Sequence, residues 1–386
     1  MGKSKVLILD ADGTQSLPIA ESLHSHGIEV HGFFHAKMCY GYASRYFTKR
    51  QVIKAGYGEN YVQQIIGYIK KDSIDVIFPM GDLVAELVCK FQDRLRPYVR
   101  FVTPDYQSFR EGYDKNKLMH ICKKCNIPHP RTIDLSICSI NEVDDEIFPA
   151  LLKPNITTGG RGMTMVRTKK ELENVFKSIH TQYGDCHLQE FIQSGGRQIK
   201  AQLFVDKQGK LLCSSVMHKQ RFYPEKGGSS SCNTTIIDNN VVDNCLTILR
   251  AIKWEGIADF DLIEDPKDGK LKIMEINPRV PACIKSAIKS GADYAELYVD
   301  YALCNKLKDY HSKPGYMLRH IGFEFLWFMS SKNRLRTTPS WFRFWGAHLY
   351  YQDFSLKDPL PFFGGTFENI VKLMSPSFRK SKSGTR

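Results

Sequence analysis

The stretch KIMEINPRV, Lys272 to Val280, decides how this chain is read. Ile273, Met274, Ile276 and Val280 are apolar, and among them stand a carboxylate, a carboxamide and a guanidinium, each two residues from the next. Alternate residues of a strand point to the same face. An extended segment therefore lines one side with Glu275, Asn277 and Arg279 together. Taken alone, Glu275 and Arg279 could form a structural bridge, so the rest of the chain has to decide.

Upstream, residues 6–104 alternate in the α/β manner. VLILDA, EVHGFF, DVIFPM and RFVTP read as strands, and SLPIAESLHSHG, YVQQIIGYIKK and LVAELVCKFQDRL as helices between them. That order predicts a doubly wound parallel sheet with a small substrate at its strand ends. The first turn, DADGTQ, lacks G-x-G-x-x-G, which argues against a dinucleotide. From about residue 113 the texture changes. A helix runs to Pro128, PALLKP is a strand bearing Lys153, and NITTGGRGM is a glycine-rich loop with Gly159, Gly160, Arg161 and Gly162. Glycines after a lysine-bearing strand let backbone N–H groups approach a phosphate, because no Cβ intervenes. This is not the P-loop, which needs G-x-x-x-x-G-K-[ST].

The order of DK (Asp114, Lys115), LLKP, GGRGM, QEFI, DFDLI and MEINPR resembles the ATP-grasp superfamily, in the pattern of biotin carboxylase and the carbamoyl phosphate synthetase large chain. The resemblance covers roughly residues 1–305. It implies an α/β chain in three parts: a pre-grasp sheet domain over 1–112, a two-lobed α+β clamp over 113–310 with a lid lobe at about 128–190, and a small C-terminal extension over 311–386. It implies that Lys115 and Lys153 hold the α- and β-phosphates of ATP, and that Gly159 to Gly162 form the lid over them. Glu190, with the backbone of Phe191 and Ile192, would hold the adenine. Asp261, Glu275 and Asn277 would hold magnesium, with manganese as an alternative. Arg279 and Lys153 would act on the transferring phosphoryl group. The stretch RFYPEKGGSSSCNT is either a flexible loop or, through catalytic Arg221 and Gly227–Ser231, a substrate loop near the acyl phosphate. One departure stands out: where a glutamate should meet the ribose, the chain reads GRQIKAQ, with Gln198 and Lys200. Lys285 and Lys289 would face either a substrate carboxylate or solvent.

The function expected is an ATP-dependent carboxylate–amine ligase working through an acyl phosphate. The alternatives are a carboxylase-type enzyme that activates bicarbonate and a non-catalytic ATP-binding protein that docks on membranes. Composition is that of a soluble globular enzyme, with 42% hydrophobic and 25% charged residues. The net charge of +13 points to anionic partners. Eleven scattered cysteines read as reduced thiols. The opening MGKSKVLILDADG lacks the apolar core of a signal peptide. A cytoplasmic chain, peripheral to a membrane at most, is expected. The tail from 311 holds Trp327, Trp341, Trp345 and an excess of Lys and Arg. Such interleaving suits either a packed cover, an anionic membrane surface or a lipid- or polysaccharide-linked substrate. No nucleic-acid recognition motif is visible, and a homodimer is compatible with everything above.

Overall fold

The computed structural model describes residues 3–157, 160–225 and 229–374. Its first unit is a four-stranded sheet of β1 (Lys5–Leu9), β2 (Glu29–Phe34), β3 (Lys49–Val52) and β4 (Val76–Pro79), in the order β3-β2-β1-β4 and parallel throughout. The strand sequence KVLIL is apolar on both faces because both faces are covered. Val6 and Ile8 meet α1 (Ser16–Ser25), while Leu7 and Leu9 meet α2 (Glu59–Asp72) and α3 (Asp82–Lys90). The short α4 (Gln92–Leu95) follows. RFVTP, expected as a further strand, contributes only a single parallel bridge from Arg100 to Val76.

Two helices lead out of this unit. In α5 (Tyr106–Tyr113), Asp105 caps the N-terminus by accepting from Ser108 N, and in α6 (Lys115–Lys124) Asp114 does so from Asn116 N and Lys117 N. The cap fixes Lys115 as the first residue of α6, which is why the pair DK matters for position and not only for charge. A small antiparallel sheet comes next, in the order β5-β8-β6-β7, with β5 at Thr132–Asp134, β6 at Ala150–Pro154, β7 at Thr164–Val166 and β8 at Cys186–Glu190. Helix α7 (Lys169–Tyr183), capped by Thr168, lays Leu172 and Ile179 against Leu152 and Leu188.

The largest sheet has seven strands, in the order β13-β12-β9-β10-β11-β14-β15. They are β9 (Gln198–Val205), β10 (Leu211–Tyr223), β11 (Ser229–Ile236), β12 (Gly256–Glu264), β13 (Leu271–Asn277), β14 (Met317–Arg319) and β15 (Leu349–Tyr351). One face buries Ile199, Ala201, Phe260 and Ile273 against α5, α6 and α8 (Asn239–Ala251). Helices α9 (Ile284–Lys289) and α10 (Tyr294–Ala302) join the core around α1. Strands β14 and β15, from beyond residue 311, complete the sheet, and α11 (Ile321–Ser330) and α12 (Leu360–Met374) belong to the same region.

Candidate active site

Strand pairing brings the predicted oxygen ligands together. In the register of β12 with β13, Asp261 stands opposite Glu275 and Asp259 opposite Asn277. In the register of β12 with β9, Asp261 stands opposite Lys200 and Asp259 opposite Gln202. All of them share the sheet face turned away from α8. Lys200 Nζ donates to Asp259 Oδ2 at 2.5 Å and to Asp261 Oδ2 at 3.0 Å. Lys219 Nζ, from β10, donates to Asp261 Oδ1 at 2.7 Å, and Asn277 Nδ2 to Asp261 Oδ2 at 3.1 Å.

The electrostatics of this cluster follow from burial and pairing. Desolvation alone would raise both carboxyl pKa values. It wins at Asp259, whose pKa lies above the usual carboxylate range. At Asp261 the two ammonium groups outweigh it, and the pKa is held low. Burial opposes the charge of Lys200, but Asp259 and Asp261 overcome it, leaving the lysine pKa raised. The donor set suits a hard divalent cation: two facing carboxylates, an amide, and Asp259 Oδ1, buried without a hydrogen-bond partner. Asp259 and Lys219 were not anticipated from sequence. Asp259 could have been, since it lies two residues before Asp261 on the same strand face. Lys219 carried no such signal.

The lysines expected to hold the phosphates come next. Lys115 Nζ lies 3.5 Å from Glu275 and donates to Thr157 O at 3.0 Å, tying α6 to the loop that follows β6. Lys153 Nζ donates to Gln189 Oε1 at 2.7 Å. Beneath them His187 is fully buried, with Nδ1 2.8 Å from Asn155 Oδ1. Burial, reinforced by the charges of Lys153 and Lys115, drives its pKa down to about 3, so the ring is neutral. Gly159 lies outside the described residues. Gly160 and Gly162 have φ of 73° and 72°, the left-handed region that favours glycine, and Arg161 between them is exposed. A Cβ on Gly162 would come within 2.7 Å of the Tyr183 ring.

Glu190 closes β8 and accepts from Lys272 Nζ at 2.7 Å. The Phe191 N–H is engaged by Pro149 O at 3.2 Å, and Ile192 follows it outside the strand. Gln198 pairs across the sheet with Lys219 and Ile263. Lys200, weighed from sequence for the ribose, is committed instead to Asp259 and Asp261.

Arg279 does not bridge to Glu275. Its Nε sits 2.9 Å from Asp82 Oδ1 at the start of α3, so the first sheet unit holds the guanidinium in place. Arg221 is placed elsewhere than expected. It is 1% exposed and paired with Glu324 through both Nε (2.8 Å) and Nη2 (2.6 Å), with Nη1 donating to Pro339 O at 2.6 Å. The structure therefore brings Arg221 into a buried ion pair and not to the carboxylate cluster. Its loop residues 226–228 lie outside the described residues. Lys285 is not turned to solvent either, and Lys289 is only partly so. Lys285 is buried and donates to Tyr351 O and Phe354 O, and Lys289 donates to Glu21. A cavity of about 530 Å³ opens beside Arg221, lined by Gln220, Phe222, Glu225, Trp327 and Arg336 among others. None of the clustered carboxylates lines it, so the chemistry is assigned to the cluster and not to the larger hollow.

The parallel sheet unit, the small lysine-bearing sheet and the carboxylate-bearing large sheet together define an ATP-grasp protein. The family described as carbamoyl-phosphate synthase L chain, ATP binding domain, matches residues 114–309, more than half of the chain, and the chain belongs to that family. Among curated relatives, the D-aspartate ligase of Enterococcus faecium (strain Aus0004) is 23% identical over 259 residues, covering 62% of this chain and 61% of the ligase. The chain thus spans about three fifths of that relative's length. Among solved structures, the biotin carboxylase of Campylobacter jejuni superposes with a TM-score of 0.65 at 18% identity, covering 78% of this chain and 72% of the other. The L-amino acid ligase of Bacillus licheniformis superposes with a TM-score of 0.59 at 16% identity, covering 78% and 75%. These likenesses establish the fold. Among the described residues no helix is long and apolar enough to cross a membrane.

Proposed function

We propose that this protein is an ATP-dependent carboxylate–amine ligase that works through an acyl phosphate. The observation that carries this reading is Glu275, which faces Asp261 across the strand pair and lies 3.5 Å from Lys115, joining the metal-type ligands to the phosphate end. One curated relative is by its name a ligase of an amino acid, which supports the ligase reading. The division into a sheet unit (1–112), a clamp (113–310, lid about 128–190) and a C-terminal region (311–386) is part of the same proposal.

In this mechanism Lys115 and Lys153 hold the α- and β-phosphates, and the loop around Gly160, Arg161 and Gly162 closes over them. Glu190, Phe191, Ile192 and Gln198 hold the nucleoside. Magnesium or manganese bound by Asp261, Glu275 and Asn277 would neutralise phosphate charge. Arg279, oriented by Asp82, offers a planar fork to the transferring group. A substrate carboxylate oxygen attacks the γ-phosphorus, and the bond to ADP breaks. The amine then attacks the acyl carbon, the C–O bond to phosphate breaks, and the amine loses a proton. Positioning and neutralisation suffice, and no side-chain nucleophile is needed. The acceptor would meet the carboxyl ends of the first sheet, where Asp10 accepts from Tyr57 (2.7 Å) and Tyr61 (3.0 Å) and Asp12 lies 3.0 Å from His35 Nδ1. An acidic, aromatic edge suits an amine.

The test is a screen of carboxylates crossed with amines that reads ADP and phosphate. Stoichiometric ADP and phosphate are expected only when both partners are present. Pyrophosphate release, or bicarbonate-dependent turnover without an amine, would overturn the reading. Glu275→Ala should lower kcat/KM roughly a hundredfold or more while the fold stays intact, since several kcal/mol of charge stabilisation depend on it.

A further inference from the structure

Helix α11, IGFEFLWFMS, is built the wrong way round for a surface helix. A carboxylate and a tryptophan, Glu324 and Trp327, form its buried face, while Phe325 and Met329 are exposed. An amphipathic helix in water does the opposite. Its inner face is explained by an ionic network. Glu324 pairs with Arg221 and with Arg319, and Ser231 Oγ donates to it at 2.8 Å. Arg319 in turn donates to the carbonyls of Trp341 (2.8 Å) and Arg343, and Trp341 Nε1 donates to Glu324 O at 3.0 Å. The segment after α11 is thereby fastened to α11 and β14 by its backbone, which leaves its outer side chains free.

Those side chains are of two kinds. Within α11 and residues 332–345 the most exposed apolar groups are Trp345 at 81%, Leu335 at 71% and Met329 at 62%. Ring contacts of Phe328 with Trp341 (4.1 Å) and Phe342 (6.0 Å), of Trp341 with Phe344 (5.0 Å) and of Phe344 with Trp345 (6.4 Å) join α11 to residues 341–345 in one aromatic cluster. Between them stand exposed Lys332, Arg334, Arg336 and Arg343, with the Arg334 guanidinium 5.7 Å from the Phe328 ring centre. From Ile321 to Leu360 every acidic side chain, Glu324, Asp353 and Asp358, is buried and paired internally. The outward charge of this stretch is therefore positive alone.

We propose that the face formed by α11 and residues 332–345 docks on an anionic lipid bilayer, with Trp345, Leu335 and Met329 entering the acyl boundary and the arginines meeting lipid phosphates. A second copy of this chain fits less well. A two-fold contact would bring together two faces whose outward charges are all positive. Nucleic acid fits less well too, because the outermost tips are aliphatic and aromatic, whereas a phosphate backbone rewards cations there. The proposal goes beyond the ligase reading and does not depend on it.

Flotation of the full chain with vesicles of phosphatidylcholine alone, or of equal parts phosphatidylcholine and phosphatidylglycerol, tests it. Binding is expected to the anionic vesicles and to weaken as salt rises. Combined Arg334→Gln, Arg336→Gln and Arg343→Gln should lower the partition coefficient on the order of a hundredfold at low salt. Leu335→Ser with Trp345→Ser should lower binding at every salt concentration, and near-ultraviolet circular dichroism should show both variants folded. No vesicle binding by the unaltered chain at low salt would overturn the proposal. So would self-association relieved by the apolar double variant, or preferential binding of single-stranded RNA lost with the arginines.

Discussion

Lys200 shows how one side chain is read twice. In sequence it stands two residues after Gln198, where a ribose contact is sought. In the structure the same alternation that places it beside Gln198 also places it opposite Asp261, and a buried pair of carboxylates is the stronger attraction. His187 yields a prediction at this scale. Its pKa is depressed to about 3 by burial and by Lys153 and Lys115. The unfolded chain therefore binds a proton that the fold refuses, and the stability present above an unfolded pKa of about 6.5 is lost as pH falls toward the folded value. Between pH 7 and pH 5 this histidine should cost ~2 kcal/mol of stability. His187→Gln keeps a donor for Asn155 and removes the titration. Urea unfolding at both pH values should show the variant less acid-sensitive by that amount, and equal sensitivity would refute the assignment.

At the scale of elements, regular alternation made the site legible and its interruption hid part of it. Glu275, Asn277, Asp259 and Asp261 lie on the in-register end of β13 and β12, and the pairing shifts only past Asp261 and Glu275, so counting by twos found or could have found them. In β10 the count fails. The register shifts between Lys219 and Arg221, which face Asn233 and Cys232 across β11. An extra residue in one strand turns its successors to new directions. Lys219 thus reaches Asp261, while Arg221 reaches Glu324. Glu324→Ala leaves Arg221 and Arg319 buried without a counter-charge and should destabilise the fold by roughly 3–5 kcal/mol. Denaturant titration measures this directly. A loss comparable to an exposed ion pair, below about 1 kcal/mol, would show that the network is not what anchors α11.

For the whole molecule, the C-terminal region is a part of the seven-stranded sheet as well as a surface. Strand β14 pairs with β11, β15 with β14, and Lys285 in α9 spends its ammonium on Tyr351 O and Phe354 O. Ser44 Oγ in the first sheet unit donates to Asp358 at 2.5 Å, and Gln352 Nε2 to Thr14 at 2.9 Å. A chain ended at residue 310 should therefore fail to fold cooperatively, read as loss of a single thermal transition and of soluble yield. An intact transition would mean that the region is only an accessory.

The sequence by itself determined what depends on near neighbours: the α/β alternation, the cap that sets Lys115 at a helix start, and the shared strand face of Glu275 and Asn277. Those follow from backbone periodicity, which acts over two to four residues. Tertiary structure alone decided which charges meet. Asp82 holds Arg279, Lys219 reaches Asp261 from 42 positions away, and Glu324 takes Arg221 from 103 positions away. Such pairings are set by strand order and bulges, and by the cost of leaving a buried charge alone, none of which has a period in the chain.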